Sequence, residues 1–235
     1  MNIIKCKTKQ EIAEICGKKI NDLVKNKPNC ILGLATGSSP VETYKEAIHL
    51  AKEDHVSYAQ VKSFNLDEYV AYKDEKDSYK YFMFDNFFKY IDIDLDNTNF
   101  PSVNNLNVYD DMIKDAGGID LQVLGIGANG HIAFNEPNTS FDSTTHIVNL
   151  TKKTIEDNAR FFASIDDVPT QAMTMGLKTI MQAKEIILIA TGENKASAIK
   201  NLVDEKKSES CPASVLKDHP NVTIYIDEEA GSLLK

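Results

Sequence analysis

The chain has 235 residues, with 35 acidic against 26 basic side chains and a formal net charge of −9. That balance excludes nucleic acid as the main partner, because backbone phosphates are bound by basic surface. The cysteines Cys6, Cys16, Cys30 and Cys211 are scattered with no CxxC pair, which argues against a zinc site or a secreted disulfide framework.

No apolar stretch approaches the ~20 residues of a membrane span. The N-terminus turns charged too early for a signal-peptide apolar region, so a cytoplasmic protein with no membrane partner is expected. Of the basic residues, Arg160 is the single arginine. Lysine evidently serves wherever a generic positive charge is enough. Arg160 therefore marks a place for bidentate clamping of a phosphate or carboxylate, or else a structural ion pair.

In chain order, Asn2 to Cys6 reads as a short strand and Thr8 to Lys25 as a helix, with Ile12, Ile15, Cys16, Ile20, Leu23 and Val24 at helical period. Cys30 to Ala35 is a buried strand ending in Thr-Gly-Ser-Ser-Pro. A helix follows over Val41 to Lys52, with Ser39 suited to its cap and Pro40 to its first turn. Val61 to Leu66 is a strand ending at Asp67 and Glu68, and Ser78 to Tyr90 an aromatic-rich helix. Asp92 to Asn107 reads as loop, Leu121 to Ile126 as the central strand and His146 to Leu150 as another short strand. Helices are predicted over Thr151 to Ala163 and Thr174 to Ala183, with the stretch between Arg160 and Thr174 a candidate lid. Glu185 to Ala190 is a strand, Lys195 to Val203 a helix, and Asn221 to Asp227 the last strand, followed by a short terminal helix. Strands alternating with helices predict one α/β domain over residues 1–235: a mostly parallel central sheet covered on both faces, a three-layer sandwich.

Four predicted strands end in turns rich in functional groups: TGSSP, NLDEY, GANGH and TGENK. In a parallel sheet these ends lie along one edge, where open α/β sheets bind ligands. Thr36, Gly37, Ser38 and Ser39 precede a helix and offer backbone N–H groups and hydroxyls to a phosphate. The loop lacks the Gly-Lys-Ser/Thr element of nucleotide triphosphate sites. Lys195, behind Gly192, adds a point charge to the same anion or is simply solvated. Asp67 and Glu68 are adjacent, so on a strand they point to opposite sides and one faces the site. A carboxylate there is a natural base for a carbon acid beside a carbonyl.

The segment LQVLGIGANGHIAFNEP, Leu121 to Pro137, is the most informative. After an apolar run it brings an amide, Asn129, an imidazole, His131, and a carboxylate, Glu136, within eight residues. His131 is the group most readily poised for proton transfer near neutral pH, and Glu136 is placed to orient it or balance its charge.

With LGLATGSSPVETY, SFNLDEYV, GIGANGHIAFNEP, NARFF, TMGLKTIMQAKEIILIATGENKA and CPASVLKDHPNVTIYID in view, the chain closely resembles the glucosamine-6-phosphate deaminases, also called glucosamine-6-phosphate isomerases, in their short bacterial form. The resemblance implies a Rossmann-like fold and conversion of D-glucosamine 6-phosphate plus water to D-fructose 6-phosphate plus ammonia. It implies no metal and no organic cofactor, a small-molecule sugar phosphate as partner, and either a monomer or a homo-oligomer. It also assigns Asp67 as enolisation base and His131 as ring-opening acid/base with Glu136 its partner. Thr36, Gly37 and Ser38 fall in the phosphate loop, and Arg160 and Lys195 match the phosphate-binding cations.

Two departures stand out. Many relatives carry Asp where this chain has Asn129; an amide holds an imidazole by a hydrogen bond but cannot offset its charge. Regulated long relatives carry basic residues where this chain has His146 and Val148, which argues against their allosteric activation. Two rivals are weaker. A 6-phosphogluconolactonase diverges after its Gly-His turn and usually has Arg in place of Tyr69. A sugar-phosphate-sensing regulator adds a helix-turn-helix, for which a first strand at Asn2 leaves no room.

Overall fold

A computed structural model describes residues 1–234. The strands are β1 (Asn2–Lys5), β2 (Ile31–Leu34), β3 (Lys62–Asn65), β4 (Asp67–Tyr69), β5 (Thr98–Asn99), β6 (Leu121–Leu124), β7 (His146–Asn149), β8 (Gln171–Thr174), β9 (Ile186–Ala190) and β10 (Val222–Ile226). The α-helices are α1 (Lys9–Asn26), α2 (Val41–Glu53), α3 (Tyr79–Asn86), α4 (Tyr109–Asp115), α5 (Lys152–Asn158), α6 (Leu177–Ile180) and α7 (Ala196–Asp204). A seven-stranded sheet runs β1-β10-β9-β6-β2-β3-β5, with every neighbour parallel. From β2 the chain builds outward through β3 and β5. It then returns to the other side of β2 as β6 and builds outward through β9 and β10. The strand order thus reverses between β2 and β6, and a crevice opens at their carboxyl ends.

Side chains alternate across the parallel strands into two cores. Ile187 and Ile189 of β9 pack with Leu32, Leu34, Leu121 and Val123 under α1, α2 and α3, through Ile12, Cys16, Ile20, Tyr44, Ala47 and Met83. Ile186 and Leu188 face the opposite side with Ile31, Phe64, Leu124 and Ile224, covered by α4, α6 and α7. This is the expected three-layer arrangement. Thr8 caps α1 by accepting from the Glu11 amide at 3.1 Å, while the Glu11 carboxylate takes the Lys7 amide at 2.8 Å.

A second, three-stranded antiparallel sheet, β4-β8-β7, was not expected. The chain passes from one sheet to the other at Leu66. Its N–H donates to Leu34 O at 3.0 Å within the main sheet, and its carbonyl accepts from Met175 N at 2.6 Å beside β8. Other corrections are local. Gln171–Thr174 is a strand, so the helix expected from Thr174 shrinks to Leu177–Ile180; Gly176 there approaches Ser143 O so closely that a Cβ would lie 2.2 Å away. Ser39 does not cap α2: Pro40 holds the cap position and no side chain bonds there. The aromatic helix ends at Asn86, and a 3-10 turn covers Phe88–Tyr90. Thr98–Asn99 adds an edge strand inside the expected loop, and α4 follows beyond it. The expected terminal helix is a run of turns, and Lys235 lies outside the described residues. No helix among the described residues is long and apolar enough to cross a membrane.

Asp120 ties the lower ends of β2 and β6. It accepts from Lys27 Nζ at 2.8 Å, Lys184 Nζ at 2.7 Å and the Ile31 amide at 2.8 Å. Burial opposes its ionisation, but the Lys184 and Lys27 bonds and the Ile31 amide prevail and hold the carboxyl below its ordinary range. A carboxyl depressed in the folded state stabilises above its unfolded pKa of about 3.9 and ceases to as pH falls through the folded value. Asp120→Ala should therefore cost about 2 kcal/mol in urea unfolding at pH 7, with the gap to wild type closing on acidification below about pH 4. Equal losses at pH 7 and pH 3 would remove the ionic part of this account.

Candidate active site

The crevice at the strand-order reversal is a cavity of about 380 Å³ lined by Thr36–Ser39, Asp67, Gly125, Gly127, His131, Arg160 and Lys195, among others. They come from the ends of β2, β3, β6 and β9 and, for Arg160, from the 3-10 turn Ala159–Phe161 after α5. β2 leads into the Thr36–Ser39 turn, where Gly37 takes φ 91°, a conformation that favours glycine. The first-turn amides of α2, left without a side-chain cap, sit next to this turn. β3 leads through Leu66 to Asp67, β6 to Gly125–His131, and β9 to Gly192–Lys195.

Asp67 and Glu68 separate as strand alternation requires. Asp67 lines the cavity and is 6% exposed. Burial first, and the neighbouring Glu68 charge second, push its carboxyl up to about 8. Glu68 turns away and takes the Tyr69, Tyr79 and Lys80 amides, each at 2.9 Å, the last two at the start of α3. Burial still raises its pKa.

His131, Asn129 and Glu136 form a chain. The His131 Nδ1 lies 2.7 Å from Asn129 Oδ1, and the Asn129 amide nitrogen donates to Glu136 Oε2 at 2.7 Å. Glu136 Oε2 stands 3.6 Å from the imidazole, so the amide bridges the two. Burial works against ionisation of Glu136, but bonds and charge from His131, then Thr154 and Asn129, draw its pKa down to about 2. An ionised carboxylate only accepts, so the Asn129 NH2 must face it and its oxygen must face His131. In the neutral imidazole Nδ1 then carries the proton and Nε2 the free lone pair. His131 lines the cavity, whereas Asn129 and Glu136 stand behind it. The ring lies against Gly127, where a Cβ would come within 2.1 Å of Cε1 and 2.4 Å of Nε2. The turn after it carries Ala133 at φ 51° and is tied to β8 by Phe134 N donating to Thr174 Oγ1 and Asn135 Nδ2 to Met175 O.

Arg160 and Lys195 line the same cavity. Arg160 Nη2 is 3.4 Å from Ser38 Oγ, and its guanidinium lies over the Phe161 ring at 4.6 Å. Among the described residues neither cation has a carboxylate within 4.0 Å. Burial, then the nearby Arg160 charge, lowers the Lys195 pKa. Two cations without a carboxylate partner among the described residues, beside the backbone amides of a helix start, are an arrangement suited to an anion.

Other parts were not legible as site residues. Tyr69, Tyr79, Phe134 and Phe162 build an aromatic wall, with Tyr79 and Phe134 stacked at 6.0 Å. Asn158 donates to the Tyr69 hydroxyl at 3.1 Å, and Thr154 donates to Glu136 Oε1. Asp227 holds the Gly192 amide. These contacts link positions 18 to 89 residues apart, a separation that no local pattern encodes. No group of three His, Cys, Asp or Glu among the described residues could hold a metal.

The family described as glucosamine-6-phosphate isomerases/6-phosphogluconolactonase matches residues 5–225. A glucosamine-6-phosphate deaminase of Mycoplasma mycoides subsp. mycoides is 50% identical over 100% of this chain and 98% of its own. One from Clostridium novyi is 46% identical over the full length of both. A solved monomeric glucosamine-6-phosphate deaminase superimposes with a TM-score of 0.96 at 42% identity, covering 99% of this chain and 100% of its own. A 6-phosphogluconolactonase from Trypanosoma cruzi shares the fold, with a TM-score of 0.76 at 19% identity. The chain belongs to the glucosamine-6-phosphate isomerase/6-phosphogluconolactonase family, among its glucosamine-6-phosphate deaminases.

Proposed function

We propose that the protein deaminates D-glucosamine 6-phosphate with water, giving D-fructose 6-phosphate and ammonia, in the breakdown of amino sugars, including those derived from N-acetylglucosamine. One observation carries the reading: a pair of unpaired cations, a free imidazole nitrogen and a buried carboxylate share one sugar-sized cavity. Arg160, Lys195 and the Thr36–Ser39 turn hold the phosphate. His131 Nε2 takes the proton of the anomeric hydroxyl and returns one to the ring oxygen, opening the ring. The imidazolium formed on the way is balanced by Glu136 through Asn129. Asp67 removes the C2 proton, which the new aldehyde has acidified. Return of that proton to C1, with one proton passing from the nitrogen to O1, completes a ketimine, and water adds to C2 as ammonia leaves. Lactone hydrolysis, the rival reaction on this fold, has no use for a carbon-acid base, so Asp67 favours the deaminase.

Asp67→Asn keeps the shape and removes the base. Deamination should fall by ~10²–10⁴-fold with inhibition by inorganic phosphate retained. The linkage sign is opposite to that of Asp120. A carboxyl raised to about 8 stabilises fully below its unfolded pKa, and that stability is lost as pH rises from about 4 through the folded value. The uncharged variant should thus melt at least about 2 °C above wild type at pH 8. More than a tenth of wild-type turnover would remove Asp67 from this role.

Gly127→Ala puts a methyl group into the His131 ring, whereas Gly125→Ala has its nearest neighbour, Ser39 Cβ, at 4.0 Å. The first should lower kcat at least about tenfold, since small misplacements of a catalytic group are costly. The second leaves the ring in place, so any loss should fall on KM and not on kcat. Equal kcat losses in the two variants would mean that the ring position is unimportant.

Arg160→Lys keeps charge and loses the fork. kcat/KM should drop roughly ten- to a hundredfold, mostly through KM, because a hydrogen bond to a charged group contributes ~1.5–3 kcal/mol. Wild-type kinetics at low substrate would make Arg160 a structural residue.

A further inference from the structure

We infer that Asp227 is a positioning residue for Lys195, acting through the backbone of Gly192. This rests on the phosphate-site reading above and extends it to a residue outside the cavity lining. β10 and β9 end side by side, with Ile226 paired to Ala190. Asp227 follows β10 directly and is 8% exposed. Both its oxygens accept from the Gly192 amide, Oδ1 at 3.1 Å and Oδ2 at 3.0 Å, and Oδ1 also takes the Ala230 amide at 2.8 Å. No cation lies within 4.0 Å of this carboxylate among the described residues. A buried carboxylate is costly, and this one is spent on backbone N–H groups alone.

What those bonds hold is a conformation that does not hold itself. Gly192 sits at φ 89°, ψ 154°, a region essentially confined to glycine. Its carbonyl then accepts from Lys195 N at 3.0 Å, closing the Glu193–Lys195 turn that starts α7. Gly192 is therefore bonded at both ends: its N–H to Asp227, its carbonyl to Lys195. Through that one residue the carboxylate sets where the lysine leaves the backbone. The side chain then reaches the cavity beside Arg160, whose charge repels it.

The test is a double-mutant cycle with Asp227→Asn, Lys195→Ala and the combination, reading melting temperature, kcat, KM and competitive inhibition by inorganic phosphate. Asparagine keeps the shape and one acceptor oxygen but loses the charge and sets an NH2 against the Gly192 N–H in place of the second oxygen. Asp227→Asn should raise KM and the phosphate inhibition constant about five- to twentyfold, with kcat within about twofold. In the Lys195→Ala background the same change should add less than about twofold, because the interaction it served is gone. Unchanged phosphate inhibition in Asp227→Asn, or an equal effect with and without Lys195, overturns the inference. Wild-type phosphate inhibition in Lys195→Ala overturns the phosphate site itself. If Asp227→Asn fails to fold, Gly192→Ala disturbs the same peptide from the other side, and must show the same KM-selective loss for the inference to stand.

Discussion

The transfer of the chain at Leu66 from the parallel sheet to the antiparallel one is the constraint on which the site rests. One residue bonds into both sheets, to Leu34 on one side and Met175 on the other. The next two side chains must then point to opposite sides. Asp67 goes into the crevice, and Glu68 goes to the amides at the start of α3. The same short strand β8 that receives β4 also holds the turn after His131, through Thr174 and Met175. β8 and the residue after it thus set Asp67 and His131 on one frame, and the major sheet brings the Thr36–Ser39 turn and Lys195 to the same crevice from its own strand ends.

Two carboxyl groups at the site are driven in opposite directions by their surroundings. Asp67 loses water and has Glu68 for a neighbour, so its pKa rises and its ionised form is a stronger base than an ordinary carboxylate. Glu136 is also desolvated, but it has Asn129, Thr154 and the imidazole to satisfy it, and it stays charged. Pairs of groups pushed apart in this way divide acid–base labour without any difference in intrinsic chemistry. The Asn129 amide suits this division. It fixes the imidazole tautomer by geometry and leaves charge balance to the carboxylate behind it, a relay that a second carboxylate could not form with Glu136 without repulsion.

The main sheet, apart from its edge strand β5, was legible because most of its strands are short apolar runs closed by Gly, Thr or Asp, and its helices repeat at 3.6 residues. α1 departs from its sequence reading by a residue at each end. Of the minor sheet only β7 was legible. Asp67–Tyr69 is three residues long and Gln171–Thr174 shows no alternation, so neither carries a strand signature. Ser39 looked like a cap because serine before Pro-Val-Glu is a common start, yet the turn gives the cap position to Pro40. Asp67, His131 and Lys195 stood out as polar groups beyond strand ends, and Arg160 as the single arginine. Thr154, Asn158 and Asp227 did not, since each acts on another side chain or backbone group across the fold rather than within a motif.

The unpaired Arg160–Lys195 pair has a thermodynamic consequence. The folded chain carries two like charges held close together, and the unfolded chain does not, so the empty cavity is a load on folding. An anion that binds there removes the load and adds its own binding free energy, by RT ln(1 + [L]/Kd). If that anion is the substrate phosphate, as the proposed function has it, heat resistance follows the supply of phosphorylated sugar.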